Sequence, residues 1–135
     1  MKIRKTLPIV CAVIALVLAS LACSLGEPGV SNVRMTTDVN GDTSTTAYSP
    51  SDDFFVFFDV NAVETGTPFE GRWYALDIEG EDPNTPFQTI SYNLEQDVST
   101  VYFQLFSDVD WPTGTYRVEI YMSGQKVGEQ QFSVR

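Results

Sequence analysis

The chain has no histidine, only two cysteines, and 8 Lys+Arg against 18 Asp+Glu in 135 residues, a formal net charge of −10. Without histidine, Ser-His-Asp and Cys-His catalytic arrangements are excluded, as are the usual zinc ligand sets. So few positive charges leave no basic patch to meet phosphates, which argues against nucleic acid as a partner. The acidic balance favours solubility and cationic partners, and its plainest meaning is a well-solvated surface. Two cysteines, with Cys11 inside an apolar run, make no disulfide framework. No window repeats with a helical period, and no repeat unit is visible. Carboxylates do occur in groups, at Asp52/Asp53, Asp108/Asp110 and Glu79/Glu81/Asp82. They lie in turns beside expected strand ends, where turn-capping acids are ordinary, whereas a glycosidase needs two carboxyls facing across a cleft. The expectation is a protein that is not an enzyme.

What is present begins at the N-terminus. Lys2, Arg4 and Lys5 precede an apolar run, Ile9 to Leu18, and then Ala19-Ser20-Leu21-Ala22-Cys23, with no charge between Lys5 and Glu27. Positive flank, short apolar run and small residues before a cysteine resemble a bacterial lipoprotein signal. The usual lipobox carries Leu three residues before the cysteine, where this chain has Ser20. The apolar core Ile9–Ala22 is 14 residues, short of the roughly 18 a spanning helix needs. An uncleaved signal anchor and a cleaved secreted form are the alternatives.

The resemblance implies a signal peptide over residues 1–22, a lipidated Cys23 with a short tether over 23–29, and a domain over 30–135. Cys23 would carry diacylglycerol and fatty acyl chains such as palmitate, each buried methylene contributing about 0.8 kcal/mol to anchoring. The expected place is the cell membrane or outer membrane, facing the extracytoplasmic side. Removing residues 1–22 leaves 113 residues and 5 Lys+Arg against 18 Asp+Glu, a net charge of −13. That length suits one domain, which buries about two-thirds of its unfolded surface.

The remainder reads as strand after strand. Asp53–Val60, Val98–Phe106 and Tyr116–Met122 are short, rich in aromatic or β-branched residues, and bounded by Pro, Gly, Ser and Asp. Ser123-Gly124 turns the chain toward Lys126-Val127 and Gln131–Val134, and shorter candidates are Val30–Thr37, Thr43–Tyr48, Phe69–Ile78 and Phe87–Leu94. Period-two runs between turn clusters, seven or eight in all, predict an all-β domain. Phe54, Val56, Phe58 and Val60 would fill one face of their strand, leaving Phe55 and Phe57 on the other. Val101, Phe103 and Leu105 would point inward, with Tyr102 and Phe106 outward; Tyr116, Val118, Ile120 and Met122 would face the core, with Arg117, Glu119 and Tyr121 outside.

Trp111-Pro112-Thr113-Gly114-Thr115-Tyr116-Arg117-Val118-Glu119-Ile120 resembles the E–F corner and strand F of immunoglobulin-like and fibronectin type III domains. By that resemblance Tyr116 is the corner tyrosine and Trp73 the buried tryptophan of strand C. The antibody disulfide has no counterpart, which points to the fibronectin-like branch. The ending, with Tyr121, Gly124, Val127, Gly128, Phe132 and Val134, is similar to the closing hairpin of such domains in bacterial envelope proteins. The fold implied is one immunoglobulin-like, fibronectin type III-like antiparallel β-sandwich.

Three groups of residues are candidates for a site. Asp38, Asn40 and Asp42 place oxygen side chains at alternate positions, as the start of a calcium loop does. Thr43 stands where such a loop needs Gly, Ser49 where it needs an acid, and a β-turn at Asn40-Gly41 explains the same residues. No other cofactor is expected. If strand C pairs with F, Arg72 and Tyr74 stand near Arg117 and Tyr121, a combination favoured at interface centres. Trp111 beside Asp108 and Asp110 is a candidate for stacking a sugar, or else a plug at the end of the core. The partners expected are the membrane, through the lipid, and a protein or glycan. Capture of an extended segment at a sheet edge is a further reading.

Overall fold

Eight strands and no helix form among residues 29–135, the part of the chain that the computed structural model describes. The signal-peptide reading over 1–22 and the lipidation of Cys23 lie outside the described residues. The strands are β1 (Gly29–Thr36), β2 (Ala47–Tyr48), β3 (Phe54–Asn61), β4 (Pro68–Ala75), β5 (Gln88–Asn93), β6 (Thr100–Leu105), β7 (Gly114–Met122) and β8 (Gln125–Val134). They form two sheets, ordered β1-β3-β6 and β2-β8-β7-β4-β5. Every pairing is antiparallel except that of β2, which lies parallel to β8.

Two-fold alternation does its clearest work in β6, where Val101, Phe103 and Leu105 are buried and the residues between them exposed. Ser123 and Gly124, both at positive φ (50° and 82°), make the two-residue β7–β8 turn whose twist suits a tight hairpin. The inner faces meet in an aromatic core. Phe54 is its hub, with ring centroids 5.0 Å from Tyr48, 4.8 Å from Phe132 and 4.7 Å from Trp111. Gly71 of β4 is a close approach: a Cβ there would sit 2.8 Å from the Phe103 ring of the opposite sheet.

Two expectations need correction. The strand expected over Thr43–Tyr48 contracts to Ala47–Tyr48, because residues 37–46 form a loop hydrogen-bonded back to β1 (Thr45 N–H to Met35 O, 2.9 Å). Phe55 and Phe57 do lie on the outward face of their strand, but each is only 6% exposed. The loop covers Phe57, since a Cβ on Gly41 would stand 3.1 Å from its ring. Tyr102 stacks on the same ring at 5.2 Å and the Arg34 guanidinium lies 5.5 Å from its centroid.

Candidate functional site

The pairing of β4 with β7 sets Tyr74 opposite Arg117, Arg72 opposite Glu119, and Glu70 opposite Tyr121. Odd and even residues separate, so these six side chains share the outer face while Trp73, Val118 and Ile120 enter the core. Arg72, Tyr74, Arg117 and Tyr121 therefore converge, as guanidinium-on-ring stacks. The Arg72 Cζ lies 3.7 Å from the Tyr121 ring centroid and the Arg117 Cζ 4.8 Å from that of Tyr74. Such stacks contribute about 0.5–1 kcal/mol each at exposed sites.

Glu119 is the centre that sequence reasoning left as an ordinary outward residue. It is 5% exposed. Its Oε1 accepts the Tyr121 hydroxyl at 2.8 Å, and its Oε2 lies 2.9 Å from Arg117 Nε and 3.5 Å from Lys126 Nζ. The Arg117 contact is an ion pair whose angle falls outside hydrogen-bond geometry. Burial works to raise the Glu119 pKa, but the Tyr121 hydroxyl and the Lys126 and Arg117 charges outweigh it and hold the carboxyl below its usual range. Burial, then the Glu119 charge, pushes the Tyr74 phenol up. Lys126 also bonds Glu129 at 2.9 Å, and Arg72 bonds Glu70 at 3.1 Å. Arg117, Tyr121 and Lys126 thus surround a buried anion, Arg72 joins them through the Tyr121 ring, and Tyr74 is itself buried. The only sequence signal for this was Glu119 midway between Arg117 and Tyr121 on one strand face.

The Asp38, Asn40 and Asp42 group is a turn. Asp38 Oδ1 accepts the N–H groups of Gly41 (2.8 Å) and Asp42 (3.1 Å), and Gly41 N–H also reaches Asp38 O at 3.2 Å. The turn is centred on Val39-Asn40, one residue earlier than expected, with Gly41 following at φ 75°. Among the described residues no group of three or more His, Cys, Asp or Glu is placed to hold a metal ion. The carboxylates of Asp52, Asp53 and Asp82 accept hydrogen bonds from Ser49 N–H, the Gln104 amide and Asn84 N–H respectively.

Trp111 plugs the end of the core. Its ring stacks on Phe54 and its Nε1–H donates to Asp52 O at 3.0 Å. Five residues on, the Tyr116 hydroxyl donates to Pro112 O at 2.6 Å, closing a tyrosine corner at the start of β7.

No protein-family model matches the sequence, and no curated protein is similar to it. Solved structures are similar in shape. An immunoglobulin-like protein from Pseudomonas aeruginosa superposes with a TM-score of 0.56 at 12% identity, over 81% of this chain and 97% of that one. The Pseudomonas fluorescens alkylpurine DNA glycosylase AlkC, bound to DNA containing an abasic site analog, gives a TM-score of 0.51 at 10% identity. That match covers 81% of this chain and only 30% of the glycosylase. The fold is an immunoglobulin-like β-sandwich. In that frame β3, β4, β6, β7 and β8 are strands B, C, E, F and G, Trp73 is the buried tryptophan of C, and Tyr116 the corner tyrosine of F. Identities this low carry the fold and no activity.

Proposed function

We propose that this immunoglobulin-like sandwich is a non-enzymatic binding or scaffolding module, held through lipid on Cys23 at the outer side of a cell membrane or the outer membrane. The anchor rests on the N-terminal sequence: Lys2, Arg4 and Lys5, then an apolar run, then Leu21-Ala22-Cys23. Support for binding comes from one observation, the Arg72/Tyr121 and Arg117/Tyr74 stacks gathered around Glu119 on the outer face of the larger sheet. Stacked guanidinium and phenol groups lose little freedom on docking, which is how interface anchors gain affinity. The partner proposed is a protein or a glycan. Nucleic acid is left out, because acids outnumber bases 18 to 8 over the chain.

Intact mass of membrane-extracted protein tests the anchor. A mass equal to residues 23–135 plus acyl chains, lost in Cys23→Ala, supports it, and a mass starting at Met1 refutes it. For the face, Arg72→Ala should abolish partner capture from envelope extracts while leaving Tm almost unchanged. Undiminished capture would remove this face from the proposal.

A second reading has its own observation. The β5 and β6 edges flank a groove of about 380 Å³ lined by Ile90, Tyr92, Val98, Val101 and Phe103, and among the described residues each is the last strand of its sheet. An extended segment could add to either edge. Protection of the Thr100–Leu105 amides from hydrogen exchange on adding a client peptide would favour it over face binding.

A further inference from the structure

The end of the sandwich closed by Trp111 holds a feature separate from the β4–β7 face. A half-open cavity of about 100 Å³ lies there, among Ile78, Glu81, Phe87, Trp111 and Tyr116. Three rings wall it. Phe87 stands 6.1 Å from Trp111 at 53° and 6.1 Å from Tyr116 at 75°. Trp111 has one face on Phe54 (26°), and Tyr116, stacked on Phe132 (15°), is only 2% exposed, so Phe87 and Trp111 present the accessible aromatic surface.

The aromatic walls offer no free hydrogen-bond donor. Trp111 Nε1–H is spent on Asp52 O and the Tyr116 hydroxyl on Pro112 O. The rim is negative. Glu81 lines the cavity, and Asp77, Glu79 and Asp82 lie on the same loop; among the described residues no Lys or Arg forms an ion pair with any of the four. Asp77 is partly engaged, accepting Thr115 N–H, which ties the loop to β7. The Tyr116 phenol registers the local field: burial first, then Asp77 and Glu81, push its pKa up.

A pocket with aromatic walls, a carboxylate at its edge and no free donor suits a cation whose charge is spread over apolar methyl groups. A primary ammonium brings three N–H donors, more than Glu81 and the ring walls can match inside the cavity, and an anion meets the acidic loop. We propose that this cavity binds a quaternary ammonium group, its methyls against Phe87 and Trp111 and its charge facing Glu81. Choline and a trimethylated lysine side chain share that chemistry.

The test is titration of the purified protein with tetramethylammonium, followed by tryptophan fluorescence and by NMR shifts of the Trp111 indole. A saturable change at Trp111 is expected, weakened several-fold in Glu81→Gln, whose side chain is exposed and makes no bond the fold needs. No response is expected with 3,3-dimethylbutanol, the uncharged isostere of choline. Absence of saturation, an equal response to the uncharged isostere, or unchanged binding in Glu81→Gln would each overturn the proposal. Choline and an acetylated trimethyllysine amide, compared at equal concentration, then separate the two sources by affinity.

Discussion

The two outward sheet faces of this sandwich meet the same problem in opposite ways. Each carries arginine over an aromatic ring beside a carboxylate: Arg72, Arg117 and Glu119 on the larger sheet, Arg34, Phe57 and Asp59 on the smaller. On the smaller sheet the apolar rings are covered by chain, the 37–46 loop folding over Phe57 with Asp38 capping its turn. On the larger sheet the long side chains of Arg117, Tyr121 and Lys126 surround a buried carboxylate themselves. Backbone cover spares charge and needs glycine at the contact; side-chain cover needs cations, which this acidic chain has in short supply. Four of the five Lys and Arg beyond residue 22 lie in these two networks.

The comparison can be broken from either side. The largest effect is expected from Phe57→Ala, which empties the space beneath the loop and should cost about 3 kcal/mol in denaturant unfolding. If it cost as little as an exposed phenylalanine, the loop would not be a cover. Glu119→Ala comes next, at about 2 kcal/mol, below the range for fully buried pairs because Arg117 and Lys126 still reach water. Gly41→Ala should cost about 1 kcal/mol, since the residue sits at φ 75° and a Cβ meets the Phe57 ring. Asp59→Asn is the smallest, below about 0.5 kcal/mol, because the Arg34–Asp59 pair is solvent-screened.

Acid sharpens the contrast. Glu119 titrates below its ordinary 4.5, so its contribution is whole above that value and is lost as pH falls through the lower folded value. Asp59 is lowered too, first by its hydrogen bond from Asn32 and then by those from Thr100 and Arg34, against an ordinary value of 3.8. Thermal melts from pH 6 down to 3 should therefore lose less Tm in Glu119→Gln than in the natural chain, and the difference should begin near pH 4.5. Parallel curves would mean that Glu119 is no better stabilised as an anion than in the unfolded chain.

Much of this architecture is legible in the residues. The β6 alternation, the Ser123-Gly124 turn and the Tyr116 corner each depend on residues within a few positions of one another, so local pattern suffices. The register that brings Arg72 and Tyr74 to Arg117 and Tyr121 was readable only through the resemblance of the Trp111–Ile120 segment to strand F. Phe55 and Phe57 misled because period-two reasoning assigns an outward residue to water, and nothing in Phe-Phe-Val-Phe-Phe says that a loop from before β2 returns to cover it. Glu119 misled for a different reason: Arg117, Tyr121 and Lys126 are near in sequence, but that they fold over the carboxyl and bury it follows from side-chain packing and not from the two-residue pleat.

The sequence by itself determined that the domain is all-β, where its turns fall, and which residues of β6 and β7 enter the core, because turn chemistry and the two-residue pleat are local properties. Only the tertiary structure decided what lies over the outward faces, that β2 runs beside β8, and that Phe87, Trp111 and Tyr116 share one cavity. Burial of an outward side chain is a property of whatever packs on it, and neither the loop over Phe57 nor the side chains around Glu119 are set by the two-residue pleat.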